Sequence, residues 1–202
     1  TFSSPVAKNQ FYLWAYLGYN SSSKLKSRSW VTPTGNLTQA TFISYARATD
    51  RTSWTGWYDI VWFYQRQYIN ALYMMKYGNP DSQTMVWRWF VDWNSAATAT
   101  GSTNTKWMTR WETTGNASMK LFWLEDWWGN LYQWIWGVCS NWSSVIYTAL
   151  QWFTGDITTS WNYASTWTTM VWWNEISAVA ATDKAMFVST AVVSNSSYNT
   201  YY

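Results

Sequence analysis

The chain has 202 residues, a length typical of one domain, and only 11% of its residues are charged. Its net charge is +3, and the 13 lysines and arginines are scattered apart from a short cluster at residues 24–28, which argues against a nucleic-acid-binding protein. Histidine is absent and Cys139 is the single cysteine, so nucleophile pairs that use histidine and an intrachain disulfide are both excluded.

The first predicted elements are a strand and a short helix. Residues 11–19, FYLWAYLGY, predict a strand because aromatic side chains favour pleated surfaces. The turn sequence VTPTGN follows, with proline and glycine as breakers of regular structure. A short helix is predicted over about residues 38–48, with Thr38 as its N-cap. Its expected buried face consists of Phe42, Ile43 and Ala46.

The clearest predicted helix covers residues 59–77. Apolar and aromatic residues recur every four positions along it, which is the spacing of one helix face. Gly78 can supply a left-handed C-terminal cap, and Pro80 prevents the helix from continuing. The predicted face consists of Ile60, Tyr64, Tyr68 and Leu72, widened by Val61, Ile69 and Tyr73.

Beyond residue 81, short apolar runs alternate with threonine, serine, asparagine and glycine. The runs KLFWLED, LYQWIWGV, SVIYTAL and AMFVSTAVV each predict a strand between turns. Two early helices followed by strands predict an α+β fold in which the helices pack on an antiparallel sheet. We find no long linker and no internal repeat in the sequence, so we expect one domain after a lead-in segment at residues 1–10.

Several motifs occur in an order and spacing that are typical of one family. They are LWAYLGY, RSWVTPTGN, ALYMMKYGNPDSQT, VWRWFVD and LEDWWGNLYQWIWGV. In this order they resemble the C-type-lectin-fold structural proteins of phages and prophages. This group belongs to the formylglycine-generating-enzyme-like subclass and is related to the variable proteins of diversity-generating retroelements. The resemblance implies a C-type-lectin-like α+β domain over residues 11–202, with long loops, and we expect its C-terminal variable part to follow Tyr202.

The resemblance implies non-catalytic recognition by a virion protein. We expect a tail fibre, head fibre or baseplate component that binds a host surface glycan or protein, contacts other virion proteins and forms a homo-oligomer, for example a trimer. The alternatives are a structural decoration or fibre protein and a retroelement-diversified adhesin on the bacterial cell surface. We expect no membrane insertion, because no apolar run approaches the roughly 18 residues of a membrane span.

The segment LEDWWGNLYQWIWGV has two interpretations. Its aromatic residues can form a stacking platform for sugars, or the segment can be a strand and turn of the scaffold, and the resemblance favours the scaffold. In the scaffold interpretation Glu125 holds a loop through backbone N–H groups, Gly129 permits the turn and Asn130 caps it. Trp128 and Trp134 then pack in the core.

The acidic residues and the cysteine do not predict a catalytic centre. Glu125 and Asp126 are adjacent in a predicted strand, so they should face opposite sides of it and form a poor catalytic pair or metal site. Calcium is common in this fold, but the chain has no D-x-D-x-D loop, and we expect no cofactor. Enzymes of the subclass use paired thiols or a copper site, which Cys139 alone cannot supply, so a small core residue is its expected role.

The C-terminal sequence SNSSYNTYY is the predicted ligand-binding segment. Tyrosine provides rigid amphipathic area, and serine and asparagine provide adaptable hydrogen bonds. The alternative is a strand edge at an ordered terminus. The predicted contact residues are Asn195, Tyr198, Asn199, Tyr201 and Tyr202.

The chain has 21 tryptophans and only 9 glycines, the reverse of ordinary usage. Many tryptophans stand where the family pattern has glycine, and some lie in polar segments predicted as loops, such as STWTTMVWWNE. We hypothesise that many of these tryptophans are not native. One route is a UGA codon that the host decodes as glycine but that has been translated as tryptophan in this sequence; the alternative is a protein that is genuinely rich in tryptophan. UGG codons at Trp87, Trp89, Trp172 and Trp173 would refute this route. The other positions are Trp14, Trp30, Trp107, Trp111, Trp123 and Trp167.

Overall fold

The computed structural model confirms the α+β class: among the elements that it describes, the two longest helices lie in the first half of the chain and most strands lie in the second. Among the described residues, no helix has both the length and the apolar character needed to cross a membrane. The structure describes residues 11–49, 58–79, 81–86, 96–107, 118–140, 143, 145–149, 163–169, 175–180 and 188–193.

The described elements are three helices and nine strands. The helices are α1 (Gln39–Arg47), α2 (Phe63–Tyr77) and α3 (Ser82–Met85). The strands are β1 (Gly18–Asn20), β2 (Leu25–Ser27), β3 (Lys120–Leu121), β4 (Leu124–Glu125), β5 (Val138–Ser140), β6 (Val145–Ala149), β7 (Tyr163–Thr169), β8 (Glu175–Ala180) and β9 (Val188–Val193). All the described strand pairs are antiparallel, but they form four small sheets, β1–β2, β3–β4, β5–β6–β7 and β8–β9, instead of the one sheet predicted.

Helix α1 begins at the predicted cap. The Thr38 hydroxyl accepts a hydrogen bond from the backbone N–H of Thr41 at 3.2 Å, which satisfies one of the free donors of the first turn. Arg47 in the last turn places a positive charge at the negative end of the helix dipole and pairs with Asp59 at 3.0 Å. The buried residues are Ile43 and Ala46.

Helix α2 ends as predicted but begins later and buries a different face. Gly78 has φ 63°, and its N–H bonds to the Met74 carbonyl at 2.8 Å, so it is a left-handed C-terminal cap. The helix begins at Phe63, and Tyr68 of the predicted apolar face is exposed. Hydrophobic periodicity misses the true face because half of it is polar. The buried residues are Phe63, Arg66, Gln67, Ile69, Asn70 and Tyr73.

The strand predictions are confirmed only in part. The run SVIYTAL contains β6, and AMFVSTAVV contains β9. Residues 11–19 form a strand only from Gly18, and LYQWIWGV reaches a strand only at Val138. The expectation of a loop around Trp167 is wrong, because this residue lies within β7.

The run KLFWLED is a hairpin and not a single strand. Lys120 pairs with Glu125 and Leu121 with Leu124, so the chain reverses within two residues. The two central residues, Phe122 and Trp123, have φ 47° and 70°. Positive φ at both centres is the pattern of a type I′ turn, which favours Asn-Gly strongly because other residues are strained there.

The main core lies between α2 and the β3–β4 hairpin. Ile69 and Tyr73 of α2 pack against apolar residues of the hairpin and of the segment that follows it. Trp128 is buried here, but the prediction that Trp134 is a core residue is wrong, because 51% of its surface is exposed. The buried cluster comprises Ile69, Tyr73, Val86, Met119, Leu121, Leu124, Trp127 and Trp128.

Two tryptophans adopt a backbone conformation that favours glycine. Trp30 has φ 65° and is 71% exposed, and Trp123 has φ 70° and is 55% exposed. A left-handed conformation costs a residue with a Cβ atom roughly 1–2 kcal/mol. The structure also describes Trp14, Trp107 and Trp167, and none of these three is among the residues with positive φ. The backbone therefore supports the glycine hypothesis at positions 30 and 123.

We predict that W123G is more stable than W123A by about 1 kcal/mol, because only glycine removes the Cβ strain of the hairpin turn. Both variants lose the contact of the Lys120 Nζ with the indole ring, at 4.8 Å from its centroid, so this loss cancels in the comparison. Urea unfolding measures the difference in the free energy of unfolding. Equal stability of the two variants would show that the turn carries no such strain.

Candidate functional site

The carboxylate of Glu125 holds the loop at residues 101–107. Its Oε1 accepts a hydrogen bond from the Gly101 N–H at 2.5 Å, and its Oε2 accepts one from the Thr103 N–H at 3.0 Å and another from the Thr103 hydroxyl. Glu125 is buried, so these bonds to its charge are stronger than neutral ones. The carboxylate thus fixes the beginning of the loop.

The ammonium group of Lys120 holds the same loop through its carbonyl groups. Its Nζ donates to the Thr103 carbonyl at 2.9 Å and to the Lys106 carbonyl at 3.1 Å. Burial lowers the pKa of Lys120, and the charge of Glu125 partly offsets this effect. Lys120 and Glu125 are cross-strand neighbours, so one hairpin supplies both charges. We call this arrangement the hairpin clamp; the exposed loop residues are Ser102, Asn104, Thr105, Lys106 and Trp107.

The WGN turn attaches a second segment to the hairpin. The Asn130 side chain accepts a hydrogen bond from the Thr98 N–H and donates one to the Thr98 carbonyl, both at 2.9 Å. Its amide also donates to the Asp126 carboxylate at 2.8 Å. Gly129, with φ 90°, permits the turn. This geometry gives Asn130 a role in the scaffold, because its donors and acceptor all bind the protein itself.

Glu125 and Asp126 are not both in a strand as predicted, because β4 ends at Glu125 and Asp126, with φ 56°, turns the chain after it. Both side chains are buried, and they bind different partners. Asp126 has no exposed surface, and no hydrogen bond reaches its Oδ1 from the residues that the structure describes. Burial raises the pKa of Asp126 to about 8; the hydrogen bond from Asn130 opposes this shift and the charge of Glu125 adds to it.

A buried arginine of α2, Arg66, contacts the segment at residues 127–133. The Arg66 Nη1 donates to the Trp127 carbonyl and to the Gln133 side-chain oxygen, each at 3.2 Å, and the guanidinium lies 4.3 Å from the Trp127 ring centroid. Burial lowers the pKa of Arg66 to about 10, so it remains charged at neutral pH. The sequence interpretation missed Arg66 and Lys120. The sequence signal for Lys120 is a basic residue within the apolar run MKLFWL, whereas Arg66 stands between two glutamines and has no such signal.

The segment that follows the WGN turn alternates between inward and outward side chains. Gln133 points inward, and its Nε2 donates to the carbonyls of Asp126 and Trp127 at 3.2 Å each. Its neighbours point outward: Tyr132 is fully exposed, at 102%, and Trp134 is about half exposed. The Trp134 Nε1 donates to the Leu37 carbonyl at 3.0 Å, which fixes the direction of the indole ring.

The remaining site predictions concern Cys139, a metal site and the C-terminal contact residues. Cys139 lies in β5 opposite Tyr147 and is half-buried, and burial raises the pKa of its thiol. Within the described part of the chain, no group of three or more histidine, cysteine, aspartate or glutamate residues could hold a metal ion. The predicted ligand contacts lie outside the described residues; they are Asn195, Tyr198, Asn199, Tyr201 and Tyr202.

No family model matches the chain, and no curated protein and no solved structure is significantly similar to it.

We predict that E125Q destabilises the protein by about 2 kcal/mol or more, because the amide presents a donor to N–H groups that need an acceptor. T103V removes one of the three hydrogen bonds to Glu125 and should cost about 1 kcal/mol. Urea unfolding gives both values.

Trypsin cleavage after Lys106 should accelerate in E125Q under native conditions, since the loop loses its anchor. A cleavage rate equal to that of the parent would contradict the clamp.

We predict that D126N becomes stabilising relative to the parent as the pH rises. The folded pKa of about 8 lies above the unfolded value of about 3.9, so the protonated carboxyl stabilises the fold below about pH 4. This contribution is lost as the pH rises towards 8. Asparagine cannot ionise, can still accept from Asn130, and tolerates positive φ.

The measurement is urea unfolding of D126N and the parent at about pH 5 and about pH 8. The difference in their free energies of unfolding should shift in favour of D126N by about 1 kcal/mol or more. Asp59, whose pKa is also raised by burial, contributes equally to both proteins and cancels. If the free energies of unfolding of D126N and of the parent change equally between these pH values, Asp126 is not a buried neutral acid.

Proposed function

We propose that the protein is a non-catalytic recognition domain of a phage virion, in a tail fibre, head fibre or baseplate, that binds a glycan or protein on the host surface. The proposed fold is C-type-lectin-like, on the basis of motifs in family order between residue 11 and the end of the chain. The α+β architecture is compatible with this fold.

One observation carries the proposal. Within the motif LEDWWGNLYQW, the acids point inward and bind the protein itself, whereas two aromatic side chains point outward. Glu125 uses both carboxylate oxygens on the loop at residues 101–107, and Asp126 is buried against Asn130. Tyr132 and Trp134 are exposed. The charged groups therefore serve the scaffold, and the solvent-facing groups are suited to contact a ligand.

The hairpin clamp also favours recognition, because it orders an exposed loop before any ligand arrives. Glu125 and Lys120 bind the loop backbone, so the side chains of Asn104 and Trp107 remain at the surface. A preorganised loop loses less conformational entropy when it binds. A shallow contact of this kind binds weakly alone, and repetition on a symmetric fibre raises its avidity.

The test is binding of the protein to bacterial cells in monomeric and tetrameric form. Biotinylated protein on fluorescent streptavidin should label cells of a susceptible strain, and its apparent affinity should exceed that of the monomer by about 100-fold or more. Flow cytometry measures the labelling. Periodate treatment of the cells should abolish labelling if the receptor is a glycan, and protease treatment should abolish it if the receptor is a protein.

A variant with Tyr198, Tyr201 and Tyr202 changed to alanine tests the predicted C-terminal contacts in the same assay. The matched control is Y12A, which removes an exposed tyrosine near the other end of the chain. Tetramers that label no strain, together with assembly of the protein into fibres with other virion chains, would contradict the proposal and support a structural role. Turnover of a surface polysaccharide would identify an enzyme instead.

A further inference from the structure

We propose that Tyr132, Trp134 and the first turn of α1 form a stacking site for a neutral carbohydrate; we call it the Tyr132–Trp134 face. This inference deepens the proposed function and rests on it, since it names the ligand class and the surface that binds it. Both rings are exposed, whereas Gln133 between them and Ile135 after them are only partly exposed. This alternation leaves both rings at the surface of one short segment, where each can stack against a sugar.

A buried hydrogen-bond network fixes the orientation of this face. Gln133, between the two aromatic residues, is held inward by two backbone carbonyls and by the guanidinium group of Arg66. Rotation of the segment would leave the buried Arg66 Nη1 with one acceptor fewer, which is costly for a charged group. The inward direction of Gln133 therefore keeps Tyr132 and Trp134 outward without any ligand.

Helix α1 provides the polar edge of the face. The Trp134 indole N–H bonds to the Leu37 carbonyl, and the Gln39 amide bonds to the Ile135 carbonyl at 3.0 Å, so the segment and the helix are joined at two points. The Thr38 and Thr41 hydroxyls lie in this turn, 2.8 Å apart at a solvent-exposed hydrogen bond. Hydroxyl groups beside an aromatic ring suit a sugar, which has an apolar ring face and polar edges.

The charge distribution indicates a neutral ligand. Residues 29–46 and residues 127–155 contain no charged side chain. Arg47, which stacks over the buried ring of Trp136 at 4.5 Å, is already paired with Asp59. A uronic acid or sialic acid would therefore lose water without gaining an opposite charge from these segments. An uncharged pyranose has no such penalty.

The experiment uses the full chain, tetramerised on streptavidin, on an array of neutral oligosaccharides and of matched oligomers that contain uronic acid. We expect retention by at least one neutral oligosaccharide. Y132A and W134A should each reduce it about tenfold or more, the effect of losing one stacking partner. W134F keeps a ring but loses the bond to the Leu37 carbonyl, so its retention should be intermediate. Y12A should retain the sugar like the parent, and circular dichroism checks that each variant folds.

The same variants on bacterial cells separate this inference from the proposed function. Cell labelling that Y132A and W134A leave unchanged would overturn the carbohydrate face and leave host recognition intact. Retention by the uronic acid oligomers alone, or by neutral sugars without dependence on Tyr132 and Trp134, would also overturn it. Absence of binding to both cells and sugars would overturn the proposed function together with the face.

Discussion

The hairpin clamp is the interaction on which the rest of the described site depends. Lys120 and Glu125 face each other across a hairpin of two-residue strands, and each binds backbone groups of the loop at residues 101–107. Taking two charges out of water is costly, and the fold offsets this cost by satisfying both with charge-assisted hydrogen bonds. Because β3 and β4 are so short, these side-chain bonds contribute much of the order that longer strands would otherwise provide.

The sequence was informative where local chemistry decides the structure. Thr38 begins α1 because its hydroxyl satisfies a free N–H group, and Gly78 ends α2 because it accepts a left-handed conformation. Both events involve residues within one helical turn. The order of helices and strands follows from equally local periodicity. The motif order also predicted the LEDWWGN segment as scaffold, although it could not show which groups each side chain contacts.

The sequence was misleading where distant partners decide the structure. Arg66 is buried because the Trp127 and Gln133 oxygens accept its hydrogen bonds, and these partners lie more than 60 positions away. The helix pattern counts Tyr68 as apolar and the family motif predicts Trp134 in the core, yet both lie at the surface, since each ring also carries a polar atom. The reversal at Phe122 and Trp123 has no turn signal in the sequence, because neither residue favours positive φ.

The long sequence separations within the site also have a consequence for how the chain folds. The bonds of the hairpin clamp join residues 14 to 24 positions apart, the Thr98–Asn130 pair spans 32 positions, and the Arg66–Trp127 contact spans 61. Closing such loops costs entropy before any contact compensates for it. These contacts should therefore form late in folding and lower the folding rate. During synthesis, α1 and α2 emerge long before their partners in the WGN segment. The buried charge of Arg66 must therefore remain hydrated in the nascent chain until residue 133 has left the ribosome.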